Sequence, residues 1–507
     1  MSTTSRRMLD EAWAALGGPP GMAAGVAFRE AGELPSAFPV ADLAAASIAA
    51  AALAVAELRS VGAPGALADV VVDRRLAAMW FATSLRPIGW HLPSPWDAVA
   101  GDYRCRDGWI RLHTNAPRHR AAALRVLGAA ADRTEVARAV AGRDADELEA
   151  AIVAAGGCAA RMRSLQDWAG HPQGAAVRAE PLVDRAVRAA DPARASSRRQ
   201  TAIRPTAVRP AAVRPAAVRS TGGSRPLAGV RVLDLTRVLA GPIATRFLAG
   251  FGATVLRIDP PDWDEPAVLP ETTLGKTCAR LDLRSPSGLA RLEGLLAGAD
   301  LLLHGYRPGA LDGLGLPAAR RQELAPDLIE VCLDAYGWSG PWAGRRGFDS
   351  LIQMSSGIAD TGRRWQRAEA PVPLPVQALD HATGYLMAAA AVRGLRQRLT
   401  DGVASTARCS LARTAWWLTL HRAADAATPA LPAGAVASEE DGSPSGSGVF
   451  TAETSDDLAP AIEPTAWGPG RRLRVPLLID GSPMTWARPA GALGCADAAW
   501  PTDLDDC

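Results

Sequence analysis

Residues 227–422 are predicted to form an α/β domain around a doubly wound parallel sheet, and three observations carry that prediction. Short apolar runs recur as VRVLDL (230–235), ATVLRID (253–259), ADLLLHGY (299–306) and DLIEVCLDAYG (327–337). Amphipathic stretches such as SGLARLEGLLAG (287–298) separate them. A turn containing Gly241-Pro242 stands where the first strand gives way to a helix. Strand and helix alternating at this spacing make right-handed βαβ crossovers, whose ligands sit beyond the carboxyl ends of the strands.

In chain order, the opening MSTTSRRMLDEAWAALGG has no apolar core before a cleavage site and does not read as a signal peptide. The run 43–55 is apolar but mostly alanine, too short and too weakly hydrophobic for a membrane span, so a packed core helix is expected. Residues 193–226 repeat a five-residue unit, as in TAVRP and AAVRP. Proline fixes φ and pushes the preceding residue toward extended backbone, so a semi-rigid solvated linker is expected. Residues 423–460, rich in Ala, Ser, Gly, Pro and acids, are expected to be a disordered loop. Beyond them, RRLRVPLLIDGSPMTWARP (471–489) alternates like two strands about a turn at Asp480-Gly481.

The chain also echoes itself. VQALDHATGYLMAAAAVRGL (376–395) resembles FPVADLAAASIAAAALAVAEL (38–58), and STARCSLARTAWWL (405–418) resembles ADVVVDRRLAAMWF (68–81). Asp380 falls opposite Asp42 and Arg413 opposite Arg75, both at an offset of 338. The shared offset points to an internal duplication.

Composition excludes several classes. Hydrophobic residues make up 48% and charged residues 21%, ordinary for a soluble globular chain. With 55 basic against 53 acidic residues there is no global field for nucleic acid, and no membrane partner is expected. The basic side is nearly all arginine; Lys276 is the only lysine. The seven cysteines are dispersed without CxxC or zinc-finger spacing, so free thiols, a reducing cytoplasmic setting and no metal are expected.

The candidate chemistry lies at the strand ends. TRVLAGP (236–242) stands where a phosphate would meet a helix N-terminus, but it lacks the GxGxxG spacing of a nicotinamide or flavin fold. Asp259 ends the second strand, a common place for a ribose-binding carboxylate. Arg307 leaves the third strand just before Pro308-Gly309 and could bind phosphate bidentately. Arg345, Arg346 and Gly347 precede an apolar helix. Asp380 opens another, where it suits an N-cap or first-turn position.

Six pieces in order, PLAGVRVLDLTRVLAGP, ATVLRIDPP, the Lys276 segment, HGYRPGALDGLGL, GFDSLIQMSSG and ALDHATGY, make this stretch of about 200 residues resemble the family III CoA-transferases. These are the CaiB/BaiF type, related to formyl-CoA transferase and alpha-methylacyl-CoA racemase. The resemblance implies a Rossmann-like parallel-sheet domain with a smaller α+β domain. It makes Asp380 the catalytic carboxylate, which attacks an acyl-CoA donor to give an anhydride and then an aspartyl-CoA thioester. It implies a CoA site at Leu239, Ala240, Thr272, Thr273, Leu274, Gly275, Lys276, Gly305, Tyr306, Arg307, Arg346, Gly347, Phe348 and Asp349. Its partners would be an acyl-CoA and a carboxylic acid, with no tightly bound cofactor and no metal, in a chain able to form a homodimer. The sequence departs from the family at Pro260 and Gly313, where the transferases carry arginines; Arg237, Arg257 or Arg307 would then serve the nucleotide end. Phe348 replaces the histidine base of the racemases, which favours transfer over racemisation or isomerisation. A CoA-binding homologue without turnover is the other alternative.

Residues 30–190 resemble the second half of the same family, including the DGW turn in YRCRDGWIRLHTN (103–115) and RSLQDWAGHPQG (163–174). The expected order is a degenerate second-half copy with the small domain (1–192), a linker (193–226), the catalytic domain (227–422), a loop (423–460) and a return segment (461–507). His113, His119 and His171 would then be neighbours of the site, and Asp42 a helix cap.

Overall fold

Helix Val40–Arg59 shows why the alanine-rich runs fold as they do: small side chains on every face let other helices approach from all sides. It is long and apolar enough, by length and composition, to cross a membrane, yet the protein itself buries all of its most apolar stretch. Helix Ala378–Asp401, its sequence echo, packs along it. The computed structural model describes residues 3–61, 68–189, 225–422 and 453–501. In the N-terminal part, β1 (Ala27–Arg29) pairs in parallel with β2 (Val70–Asp73), and β3 (Leu85–Pro87) follows helix Arg74–Trp80. β4 (Gly101–Arg104), β5 (Trp109–Leu112) and β6 (Ala159–Arg161) form an antiparallel sheet. Helices Pro117–Leu127, Arg133–Ala141 and Ala145–Ala154 close over it around Tyr103, Ile110, Val136, Leu148 and Ile152. This is the smaller α+β domain. Asp132 and Asp144 cap two of its helices by accepting from the N–H groups of Glu135 and Glu147. β7 (Asp184–Ala189) then leaves the small domain altogether.

The main sheet contains β8 (Arg231–Leu235), β9 (Thr254–Asp259), β10 (Lys276–Arg280), β11 (Leu301–His304), β12 (Ile329–Asp334) and β13 (Val403–Ser410). Their order is β10-β9-β8-β11-β12-β13-β7, parallel throughout except that β7 runs antiparallel on β13. Both faces are covered, with Leu233, Leu256 and Leu302 on one and Val232, Val255 and Leu303 on the other. This double burial is why the strands read as continuous apolar runs. The order reverses between β8 and β11, which opens a crevice at their carboxyl ends.

The C-terminal part returns to the N-terminal one. β14 (Leu458–Thr465) and β15 (Gly468–Leu473) extend β3, and β16 (Leu477–Ile479) pairs with β2. β16 turns into β17 (Ser482–Pro483) at Asp480-Gly481, both with positive φ, the hairpin expected there. The expected loop 423–460 needs correction at its end: residues 455–457 form a 3-10 turn whose capping box uses Thr454 and Asp457, and β14 starts at Leu458. Most of that loop, 423–452, and most of the expected linker, 193–224, lie outside the described residues. The expected division at 192 is also too clean. β7 completes the main sheet, and a buried cluster ties three parts of the chain, with Glu271 accepting from the Ser84 and Leu85 N–H groups and pairing with Arg246 and Arg472. The six described cysteines are free.

Candidate active site

The crevice between β8 and β11 is built by the loops that leave them. After β8 the chain passes Arg237 and Val238 into helix Ala240–Gly250, whose N-terminus faces the crevice. Val238 sits at φ 65°, the left-handed region, where a β-branched side chain is strained. The Glu265 carboxylate holds it there by accepting from its N–H at 2.8 Å. After β11 come Gly305, Tyr306 and Arg307, and Arg237 donates to the Tyr306 hydroxyl across the crevice at 3.0 Å.

Asp380 reaches this place through close helix packing. A Cβ on Gly384, four residues further along its helix, would lie 2.4 Å from the Ala240 carbonyl oxygen, so only glycine lets the two helices meet here. Asp380 is 7% exposed, and no hydrogen-bond donor among the described residues reaches its carboxylate. Its backbone N–H and that of Leu379 donate to the Asp349 carboxylate at 3.0 and 2.8 Å. Asp349 thus caps the Asp380 helix, and it also accepts from the Gln353 amide. Burial and the Asp349 charge push the Asp380 carboxyl well above the ordinary carboxylate range. Burial pushes Asp349 upward as well.

Asp42 is the contrast. At the same place in the echoed helix, its carboxylate pairs with Arg74 at 3.1 Å and accepts from Ser5. It is a neutralised first-turn residue. Arg75 and Arg413, the other echoed pair, are structural too: Arg75 pairs with Asp457, and Arg413 donates to the Glu180 carbonyl at 2.7 Å.

The small domain closes the site. His113 stacks on Phe348 with ring centroids 3.6 Å apart, and His119 meets the same ring edge-on at 6.0 Å. Burial, Arg111 and His119 push His113 down to about 3; burial, Arg118 and Arg346 push His119 to about 4. Both imidazoles are neutral at neutral pH. His171 lies elsewhere, capping helix Pro172–Ala179 and stacking on Trp168.

Arg118, Arg237, Arg307 and Arg346 gather beside these rings, and none of them forms an ion pair with a carboxylate among the described residues. Burial and the other three cations lower the Arg118 pKa. Uncompensated like charges of this kind are stable only where an anion or solvent neutralises them. Arg307 and Arg346 line a cavity of about 440 Å³ between the main and small domains, with Trp342 and Gly344 in its wall. Gly347 is needed where it stands, because a Cβ would meet the Ala335 Cβ at 2.7 Å and the Tyr336 ring at 2.8 Å.

Other expected site residues are placed differently. Lys276 is fully buried, with its ammonium 3.0 Å from Asp234 and 2.9 Å from the Pro242 carbonyl. Thr272 and Thr273 are wholly buried, and Leu274 and Ala240 nearly so. Leu239 is the residue before helix Ala240–Gly250. Arg257, expected as one source of nucleotide binding, is buried and pairs with Asp259 and Glu265. Asp259 is thereby committed to Arg257 and is not free for a ribose. Sequence reasoning missed Arg118 and Glu265, which sit in unremarkable helical or loop surroundings.

A family model for CoA-transferase family III matches residues 227–463. That segment, a little under half of the chain, is similar to CoA-transferase family III. Succinyl-CoA:glutarate CoA-transferase of Mus musculus is 34% identical over 201 residues, covering 37% of this chain and 45% of that protein. Formyl-CoA:oxalate CoA-transferase of Rhodopseudomonas palustris is 32% identical over 192 residues, covering 35% and 44%. This chain therefore spans about half the length of the curated relatives it matches. Among solved structures, a CAIB/BAIF family protein from Brucella suis is 27% identical with a TM-score of 0.35, covering 38% of this chain and 55% of that one.

Proposed function

We propose that the chain transfers coenzyme A from an acyl-CoA to a carboxylic acid, with Asp380 as the nucleophile. One observation carries the reading: a buried carboxylate without a hydrogen-bond donor stands at the switch point of a doubly wound sheet, beside a basin of unpaired arginines. The arginines suit the phosphates of CoA. Asp380 suits the thioester, because a desolvated carboxylate is a stronger nucleophile than a solvated one. Attack on the thioester carbonyl gives an acyl anhydride of Asp380 and releases CoA thiolate. Return of the thiolate to the aspartyl carbonyl expels the acyl group as its acid, and the acceptor acid reverses both steps. The helix N-terminus at Ala240 offers N–H groups to an anion here.

The test is hydroxylamine trapping during incubation with an acyl-CoA panel. A hydroxamate on Asp380, located by peptide mass spectrometry and absent from Asp380→Asn, is the expected result. Exchange of the α-proton without acyl exchange would favour the racemase or isomerase alternative. CoA binding with neither would favour a homologue without turnover.

A further inference from the structure

His304, the last residue of β11, meets Glu330 and Cys332 of the neighbouring β12, and the proposed transfer reaction uses none of the three. His304 lies opposite Cys332 in the ladder, and Glu330 is two residues earlier on the same strand face. All three are largely buried. His304 Nε2 is 3.1 Å from Glu330 Oε1 and 3.1 Å from Cys332 Sγ, and Cys332 Sγ is 3.6 Å from Glu330 Oε1. We propose that this triad is a zinc site, with His304 Nε2, Glu330 Oε1 and Cys332 Sγ as ligands.

The geometry supports this on two counts. Tetrahedral zinc, with Zn–N and Zn–O near 2.0 Å and Zn–S near 2.3 Å, places nitrogen and oxygen ligands about 3.3 Å apart and sulfur about 3.5 Å from either. The three distances fall within a few tenths of an ångström of those separations. The carboxylate is also oriented from behind: Arg321 donates through Nη2 to Oε1 at 2.7 Å and through Nε to Oε2 at 3.1 Å. Ligating carboxylates are held by outer partners in this way. A mixed N, O and S set selects a borderline-soft ion such as zinc over magnesium or calcium. Binding breaks the Cys332 S–H bond, forms a Zn–S bond and releases the proton to solvent, with no change of oxidation state. Cysteine spacing could not show this site, because its ligands come from two strands and include only one cysteine.

The position gives the ion a role. His304 immediately precedes Gly305, Tyr306 and Arg307, so zinc would clamp the end of β11 to β12 directly beneath the loop that reaches into the crevice.

The test uses the full chain stripped of metal and titrated with Zn²⁺ alone. The expected results are one zinc per chain, a rise in Tm on addition, and X-ray absorption of the wild-type complex showing a single sulfur ligand with nitrogen and oxygen. Cys332→Ser and Glu330→Gln should each weaken binding at least tenfold. Absence of stoichiometric binding would overturn the proposal and leave a polar cluster closed by Arg321. So would zinc with no sulfur ligand or with several, a result that does not depend on whether either variant folds.

Discussion

At the scale of the residue, the proximity of Asp380 and Asp349 bears on both the proposed transfer and the stability of the chain. In the proposed transfer the attacking form of Asp380 would be the carboxylate, and its pKa is raised by burial and by Asp349. Transfer should therefore increase with pH, with a midpoint above the ordinary carboxylate range. Because the two acids titrate as a pair, Asp349→Asn should move that rise to lower pH. The pH profile of kcat/KM for both proteins measures this, and an unmoved profile would count against the coupling. Stability runs the other way. A carboxyl whose folded pKa is raised favours folding most below its unfolded value near 3.8, and that contribution is lost as pH rises through the folded pKa. Asp380→Asn should abolish transfer and, at alkaline pH, leave the chain more stable than the wild type by about 1 kcal/mol or more, read by urea denaturation. The sequence made Asp380 visible only through the ordered family motifs; alone it looked like a cap. Asp349 takes the capping role instead, a contact between residues 31 apart that no local pattern reveals. Arg118 was equally hidden, since a helical surface arginine and an arginine facing three others look the same in PRHRAAALRVL.

At the scale of the element, the loop between β8 and helix Ala240–Gly250 stores strain at Val238. A β-branched residue in the left-handed region costs about 1–3 kcal/mol, and the Glu265 hydrogen bond to its N–H holds it in place. Val238→Gly should relieve that strain and, despite the lost side-chain packing, leave stability within about 1 kcal/mol of the wild type. It should also weaken CoA binding several-fold, because the loop would no longer be preset; urea denaturation and calorimetric titration with CoA separate the two effects. The strands β8, β9, β11 and β12 were legible because burial on both faces writes them as apolar runs. β7 was not, because it is an edge strand of mostly exposed residues whose only cue is its partner, β13. The loop expected to run to 460 ends earlier for a similar reason: β14 alternates too weakly to read as a strand until β15 pairs with it.

At the scale of the whole molecule, the described regions fold as one interlocked body. Helix Val40–Arg59 lies along helix Ala378–Asp401, and Glu57 pairs with Arg393 and Arg396 between them. The duplication was legible as an offset, but its consequence needed the structure. The two copies pack on each other, and only one keeps an unpaired aspartate. Glu271 is the point where this interlocking can be tested. Burial would raise its pKa, but Arg472 and Arg246, with the Ser84 hydroxyl and the Leu85 N–H, outweigh that and bring it down to about 2. Because its folded pKa lies below the ordinary 4.5, its contribution is fully present above that value and is lost as pH falls toward 2. Glu271→Gln keeps the volume but leaves the buried Arg246 guanidinium without a carboxylate, Arg472 retaining Glu463, so it should destabilise the chain by about 3–5 kcal/mol at neutral pH. The variant should also lose the acid dependence between pH 4.5 and 2 expected of the wild type. Glu271 touches residues from the N-terminal, central and C-terminal parts of the chain, so tryptophan fluorescence and far-UV circular dichroism should fall together in one transition. Two separated transitions in the variant would show instead that the three parts fold independently and that this buried cluster only joins them.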